Sequence, residues 1–187
     1  MIVRFAPFFV AILMSILIVI PFLQSEDRSL LTGAKVGGHF TLQSIDGDLN
    51  TASLDTTLFA IYFGYTYCPD VCPTELARMA QLLDGLGDYA KKITPIFVTV
   101  DPGRDSALLV NEYAKAFHPM MIGLSGSDLE IEVVKRQYQV YSQRIGEDEN
   151  YLIDHSSRIY LMNSSAQLIA LFSMETPVAV SYTHLRA

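Results

Sequence analysis

Hydrophobic positions fall along this chain in three patterns. The first is one unbroken run. From Phe5 to Leu23 no side chain is charged, and Ser15 is the only clearly polar one. As a helix this run would be about 28 Å long, close to the hydrocarbon thickness of a bilayer. It is longer than the apolar part of a secretion signal, and Pro21, Phe22, Leu23 and Gln24 offer no small-residue cleavage site. An uncleaved transmembrane helix is therefore expected over a cleaved signal. Arg4 precedes the run, and Glu26, Asp27 and Arg28 follow it. The positive-inside tendency then puts the amino terminus in the cytoplasm and the remainder outside. The tip before the run is too short, and too poor in Arg and Ser, for a mitochondrial transit peptide. The expected location is a bacterial inner membrane, with a single-pass anchor and the following domain in the periplasm.

The second pattern is a set of short apolar runs. Leu58 to Tyr65 (LFAIYFGY) is almost wholly apolar and aromatic-rich, as in a central strand buried on both faces, and Thr94 to Val100 (TPIFVTV) reads as a second one. His39 to Leu42 alternates weakly ahead of the turn signal Asp46-Gly47, which predicts a β-hairpin at the start of the domain. Gly123-Leu124-Ser125 is a short strand or loop. Tyr151–Ile153, Arg158–Met162 and Gln167–Phe172 are strand-like and predict a closing hairpin.

The third pattern is helical. Leu76, Met79, Ala80, Leu83 and Leu86 recur at three- and four-residue spacing through Gly87. Asp105 or Ser106 can cap a helix running to Phe117, and Ser127 or Asp128 another through about Tyr141. The resulting order, β–α–β–α–(β)–α–β–β, predicts an α/β fold: a central mixed sheet with parallel crossovers, an antiparallel edge and flanking helices. The chain divides into a tip and membrane anchor at 1–24, a polar linker at 25–36, the folded domain at 37–178 and an atypical tail at 179–187. The tail has no helical apolar stripe and reads as truncated or artefactual, so His184 is no candidate ligand.

Composition narrows the function. The chain has 187 residues, enough for one domain plus an appendage. Its net charge of −7 and pI near 4.9, with no Lys/Arg run, argue against nucleic acid as a partner. The only two cysteines lie within five residues, as Cys68-Pro69-Asp70-Val71-Cys72, between the first central strand and its helix. That is the position of the cysteine motif in a thioredoxin-like arrangement. Spacing of i and i+4 would put both sulfurs on one face of the first helical turn, where unpaired N–H groups and the helix dipole favour thiolate. Thiolates bind soft metals such as copper(I), with imidazole an acceptable third donor, and they also attack disulfides. Structural zinc would need four protein ligands. Two inert core cysteines are disfavoured by the thiolate-favouring position, but spacing alone does not separate copper binding from redox catalysis.

Three histidines could complete a metal site. His39 sits beside the opening glycines, His118 precedes Pro119 at a helix end, and His155 lies in Asp154-His155-Ser156-Ser157. Periodicity does not choose among them. Asp101, Arg104 and Asp105 could form an acid–base set, but an ion pair with a helix cap is the simpler expectation. Asp70 either tunes the thiolates or sits exposed. Tyr62, Tyr65 and Tyr67 are expected to pack in the core and at its rim.

The segment from Tyr62 to Leu76 (YFGYTYCPDVCPTEL) resembles the signature of the Sco/SenC family of copper-binding assembly factors for cytochrome c oxidase. Val100-Asp101-Pro102-Gly103-Arg104-Asp105, Ile122 to Gly126 and Tyr151-Leu152-Ile153-Asp154-His155-Ser156 resemble further family blocks in the same order. The match spans about Gly37 to Phe172. Gly103 stands where the family usually carries Glu, at a position that is not a ligand, and the closing helix is missing. The resemblance implies copper held by Cys68, Cys72 and His155 on a thioredoxin-like fold, and the dicopper-site subunit of cytochrome c oxidase as partner. The expected function is a copper metallochaperone. The alternative is a periplasmic thiol–disulfide oxidoreductase using Cys68 and Cys72 on client cysteines.

Overall fold

The computed structural model describes residues 36–173 and Thr176. The apolar run Phe5–Leu23, nearly all of the linker and the tail at 179–187 lie outside the described residues. Among the described residues, no helix is long and apolar enough to cross a membrane.

A hairpin of β1 (Thr41–Ser44) and β2 (Gly47–Asn50) opens the domain, with Gly47 at φ 108° in the turn. The apolar runs then form the central sheet. Strand β3 (Leu58–Gly64) pairs in parallel with β4 (Ile93–Thr99) on one side and antiparallel with β8 (Ile159–Asn163) on the other. Beyond β4 lies β5 (Ile122–Leu124), parallel to it, and beyond β8 lies β9 (Leu168–Phe172), antiparallel. The order β5-β4-β3-β8-β9 places β3 at the centre, as an apolar run covered on both faces requires.

Helix α1 (Val71–Leu86) buries Cys72, Leu76, Met79 and Leu83, and Gly87 at φ 55° ends it. Its Met79, Leu83 and Leu86 line a small apolar cavity together with Ala60 of β3. Helix α2 (Ala107–Phe117) begins at Ser106, whose hydroxyl accepts from the Leu109 N–H. Helix α3 (Asp128–Tyr138) begins at Ser127 in a capping box with Glu130. It ends at Tyr138 rather than near Tyr141, because Gln139 turns into the left-handed region at φ 55°. Phe63 of β3 meets Tyr138 of α3 and Tyr160 of β8 edge-on or tilted, at 5.4 and 5.5 Å between ring centres. Fully burying each such side chain stabilises the fold by about 1.5–3 kcal/mol.

Two expectations need correction. The three C-terminal strand-like segments do not form one unit. Only β8 and β9 make the closing hairpin, while β7 (Leu152–His155) pairs with β6 (Ser142–Ile145) in a separate two-stranded ribbon. The second correction concerns Cys68, which precedes the helix and its N-cap residue Asp70, so only Cys72 lies in the first turn.

Candidate metal centre

The centre begins where β3 runs out. Gly64 is its last residue, and a Cβ there would stand 2.7 Å from Cys72 Sγ, so only glycine lets the strand pass this close to the sulfur. The chain then turns through Tyr65–Asp70, with the Cys68 N–H bonded to the Tyr65 carbonyl at 3.3 Å. The turn is tied down by Asp105. Its carboxylate accepts from the Thr66 N–H at 2.9 Å and from the hydroxyls of Thr66 and Thr99. Asp105 is thus no helix cap, because Ser106 takes that place. Arg104 and Asp101 do form the expected ion pair, at 2.6 Å.

Cys72 is fully buried and Cys68 half-buried, and neither is in a disulfide. The Cys72 N–H, one of the unpaired donors of the helix start, points at Cys68 Sγ at 3.4 Å. Asp70, between the two cysteines, is exposed.

His155 arrives from the ribbon, at the end of β7 and opposite Ser142. Its Nε2 lies 3.2 Å from Cys72 Sγ, and its Nδ1 lies 3.1 Å from the Ser156 carbonyl oxygen. A carbonyl only accepts, so Nδ1 carries the proton and Nε2 presents its lone pair to the sulfurs. Tyr65 and Tyr62 meet the imidazole edge-on at 5.7 and 6.3 Å, and the Tyr65 hydroxyl oxygen accepts from the Ile153 N–H at 3.1 Å. The two tyrosines therefore do more than fill the core: they wall the imidazole. Tyr67, in contrast, is 61 % exposed.

Cys68, Cys72 and His155 offer three donor atoms that all lie within 4.8 Å of one another, and among the described residues no other group of three or more His, Cys, Asp or Glu is so placed. His39 instead meets Thr51, and His118 lies near Asp84. His184 lies outside the described residues.

The thiols share their protons unequally. The hydrogen bond from Cys72, helped by the backbone N–H groups of Asp70 and Cys72, holds the Cys68 thiol far below its ordinary value, at about 3, against the opposing effect of burial. The neighbouring Cys68 sulfur and burial push Cys72 strongly up. The pair at neutral pH is therefore one thiolate and one thiol. Two sulfurs and one imidazole nitrogen are a soft to borderline donor set, which suits copper and falls one ligand short of structural zinc.

These features define a thioredoxin-like α/β domain that carries a paired dithiol and an imidazole at the mouth of its central strand. The SCO1/SenC family model matches residues 28–187, and the chain belongs to that family. It is similar to the SCO2-like protein of Rickettsia felis, with 38% identity over 146 residues, or 76% of this chain and 71% of the relative. Two solved relatives share the fold. ScoI of Arabidopsis thaliana, solved with copper bound, has a TM-score of 0.74 at 36% identity, covering 81% of this chain and 96% of that one. ScoI of Bradyrhizobium japonicum, also with copper bound, has a TM-score of 0.73 at 35% identity over 81% of this chain and 98% of that one.

Proposed function

We propose that this protein is a copper metallochaperone that holds one copper ion with Cys68 Sγ, Cys72 Sγ and His155 Nε2 and delivers it during assembly of the dicopper site of cytochrome c oxidase. The convergence of these donor atoms within 4.8 Å carries the reading. Copper-bound relatives at 35–36% identity support the choice of metal. Family membership supports the oxidase role, and the dicopper-site subunit is the partner that resemblance points to. The apolar run Phe5–Leu23 supports an anchor in a bacterial inner membrane with the domain in the periplasm.

The chemistry follows from the proton inventory. Cys68 meets copper as a thiolate, and Cys72 gives up its proton as its sulfur takes the metal. Cys68 and His155 are half-buried, so one side of the bound ion faces solvent. Incoming thiolates of a client can replace the ligands there one at a time, with Cys72 regaining its proton and Cys68 remaining a thiolate as the ion departs.

Metal analysis and absorption spectroscopy on the reduced full-length chain in detergent test the assignment. One copper per chain is expected, together with a sulfur-to-copper(II) band that Cys68→Ala and Cys72→Ala each weaken. Parent-like copper affinity in Cys68→Ala or His155→Ala rejects this ligand set.

The half-exposed Cys68 thiolate beside Cys72 favours one second reading, a thiol–disulfide oxidoreductase. Cys68 would attack a client disulfide and expel one client thiolate. Cys72, deprotonated, would then attack Cys68 Sγ, releasing the client dithiol and leaving the Cys68–Cys72 disulfide. That sequence does not need His155. Client reduction that survives in His155→Ala while copper binding is lost would show two separable activities.

A further inference from the structure

The turn between β4 and α2 touches both segments that deliver donor atoms, through two adjacent side chains. Asp105, with no exposed surface, bonds Thr66, two residues before Cys68, through both backbone N–H and hydroxyl. Arg104 reaches the other segment. Its Nη1 donates to the Tyr151 carbonyl at 3.0 Å, and its guanidinium lies 3.5 Å from the centre of the Tyr151 ring. The Tyr151 hydroxyl in turn donates to Asp101 Oδ1 at 2.6 Å, while Arg104 Nε donates to Asp101 Oδ2 at 2.6 Å. Arg104, Asp101 and Tyr151 thus close a ring of contacts at the base of β7, four residues before His155. The same guanidinium lies 4.8 Å from the ring of Tyr67, next to Cys68.

The ribbon that carries His155 needs such a tie. Among the described residues, strands β6 and β7 pair only with each other, outside the central sheet, and a lone two-stranded ribbon is marginally stable in water. Arg144 of β6 adds to the anchorage from the ribbon itself, 3.7 Å from the same Tyr151 ring.

We propose that Arg104 and Asp105 are positioning residues for the metal centre, Asp105 fixing the loop of Cys68 and Arg104 fixing the strand of His155, so that one turn sets the gap between sulfurs and imidazole. The proposal rests on the copper reading and adds residues that touch no donor atom. The residue types fit the task. A planar guanidinium can pair with Asp101, donate to a carbonyl and stack on a ring at once, which an ammonium cannot. A buried carboxylate accepts the three donors around Asp105, and an alanine there would leave the Thr66 N–H without its acceptor.

Copper affinity and the copper(II) electron paramagnetic resonance spectrum of the full-length chain in detergent test this, with circular dichroism as the check of fold. Arg104→Ala and Asp105→Ala are expected to weaken copper binding about 10- to 100-fold, as loss of a residue that orients a metal ligand does. Arg104→Ala should also lose the nitrogen coupling from His155 while keeping the sulfur-to-copper band, and Arg104→Lys should not restore it. Tyr151→Phe, which keeps the ring and loses only the bond to Asp101, should move affinity in the same direction by less. Unchanged affinity and nitrogen coupling in folded Arg104→Ala, or in Tyr151→Phe should Arg104→Ala not fold, overturns the proposal. Parent-like copper binding by His155→Ala overturns the copper reading beneath it, a different result in a different variant.

Discussion

His155 Nε2 lies 3.2 Å from Cys72 Sγ, across 83 residues of chain. The Nδ1 proton is committed to the Ser156 carbonyl, so the lone pair that faces the sulfur is the one a metal takes. Burial of Cys72 and the half-exposure of Cys68 then divide the work: one sulfur is held in the core and the other meets incoming reagents.

Ionisation of the pair should be visible without metal. Cys68 is held at about 3, below the ordinary thiol, and Cys72 is pushed above it. As pH falls from 7 the thiolate of Cys68 should persist until near 3, and the second thiolate should not form between pH 7 and 9. Thiolate absorbance near 240 nm in the reduced, metal-free chain should therefore report about one thiolate at neutral pH, and iodoacetamide should label Cys68 well before Cys72. Two thiols titrating together near the ordinary value of about 8.5 would contradict this arrangement.

Copper loading should release a proton. Cys72 is a thiol before binding and a thiolate after it, so affinity should rise about tenfold per pH unit between roughly pH 6 and 8. Competition titrations across that range measure the slope, and a flat profile would mean that both sulfurs were already ionised.

Gly64→Ala places a methyl group 2.7 Å from Cys72 Sγ, with a ring carbon of Phe97 3.0 Å off on another side. The sulfur must shift in a packed interior. We expect a stability loss of about 1–3 kcal/mol in urea unfolding together with weakened copper binding. A variant as stable as the parent, with parent-like affinity, would show that the approach of strand and sulfur is loose.

Tyr65→Phe keeps the ring against His155 and removes the oxygen that accepts from the buried Ile153 N–H. Leaving that donor unpaired should cost about 1–3 kcal/mol. Faster hydrogen exchange at Ile153, with β3 and β4 unchanged, would place the loss in the ribbon, and parent-like protection there would count against the tie.

Where burial is two-sided or a cap is local, the residues themselves foretold the structure. The runs at Leu58–Tyr65 and Thr94–Val100 became β3 and β4 to within a residue at each end, because a strand covered on both faces is apolar throughout. Ser106 and Ser127 cap the helices expected of them, since capping depends on only four neighbouring residues. Strand β6 leaves no sequence pattern, because Ser-Gln-Arg-Ile is largely exposed and carries no buried alternation; backbone pairing to β7 and the contacts of Arg144 hold it. The sequence around Asp105 points only to an ion pair or cap, because nothing local reveals that its acceptors serve Thr66, 39 residues away.

The order of strands and helices, the place of the dithiol at a strand-to-helix junction and the scarcity of positive charge were written in the chain itself, since each depends on neighbours in sequence. Spacing does not choose His155 over His39 or His118; in the sequence only a likeness to a known family does so. Folding made the choice physical, by bringing a ribbon strand against the end of β3 and aiming one imidazole at two sulfurs. Such a meeting is set by packing between segments far apart in the chain, and no local pattern of residues encodes it.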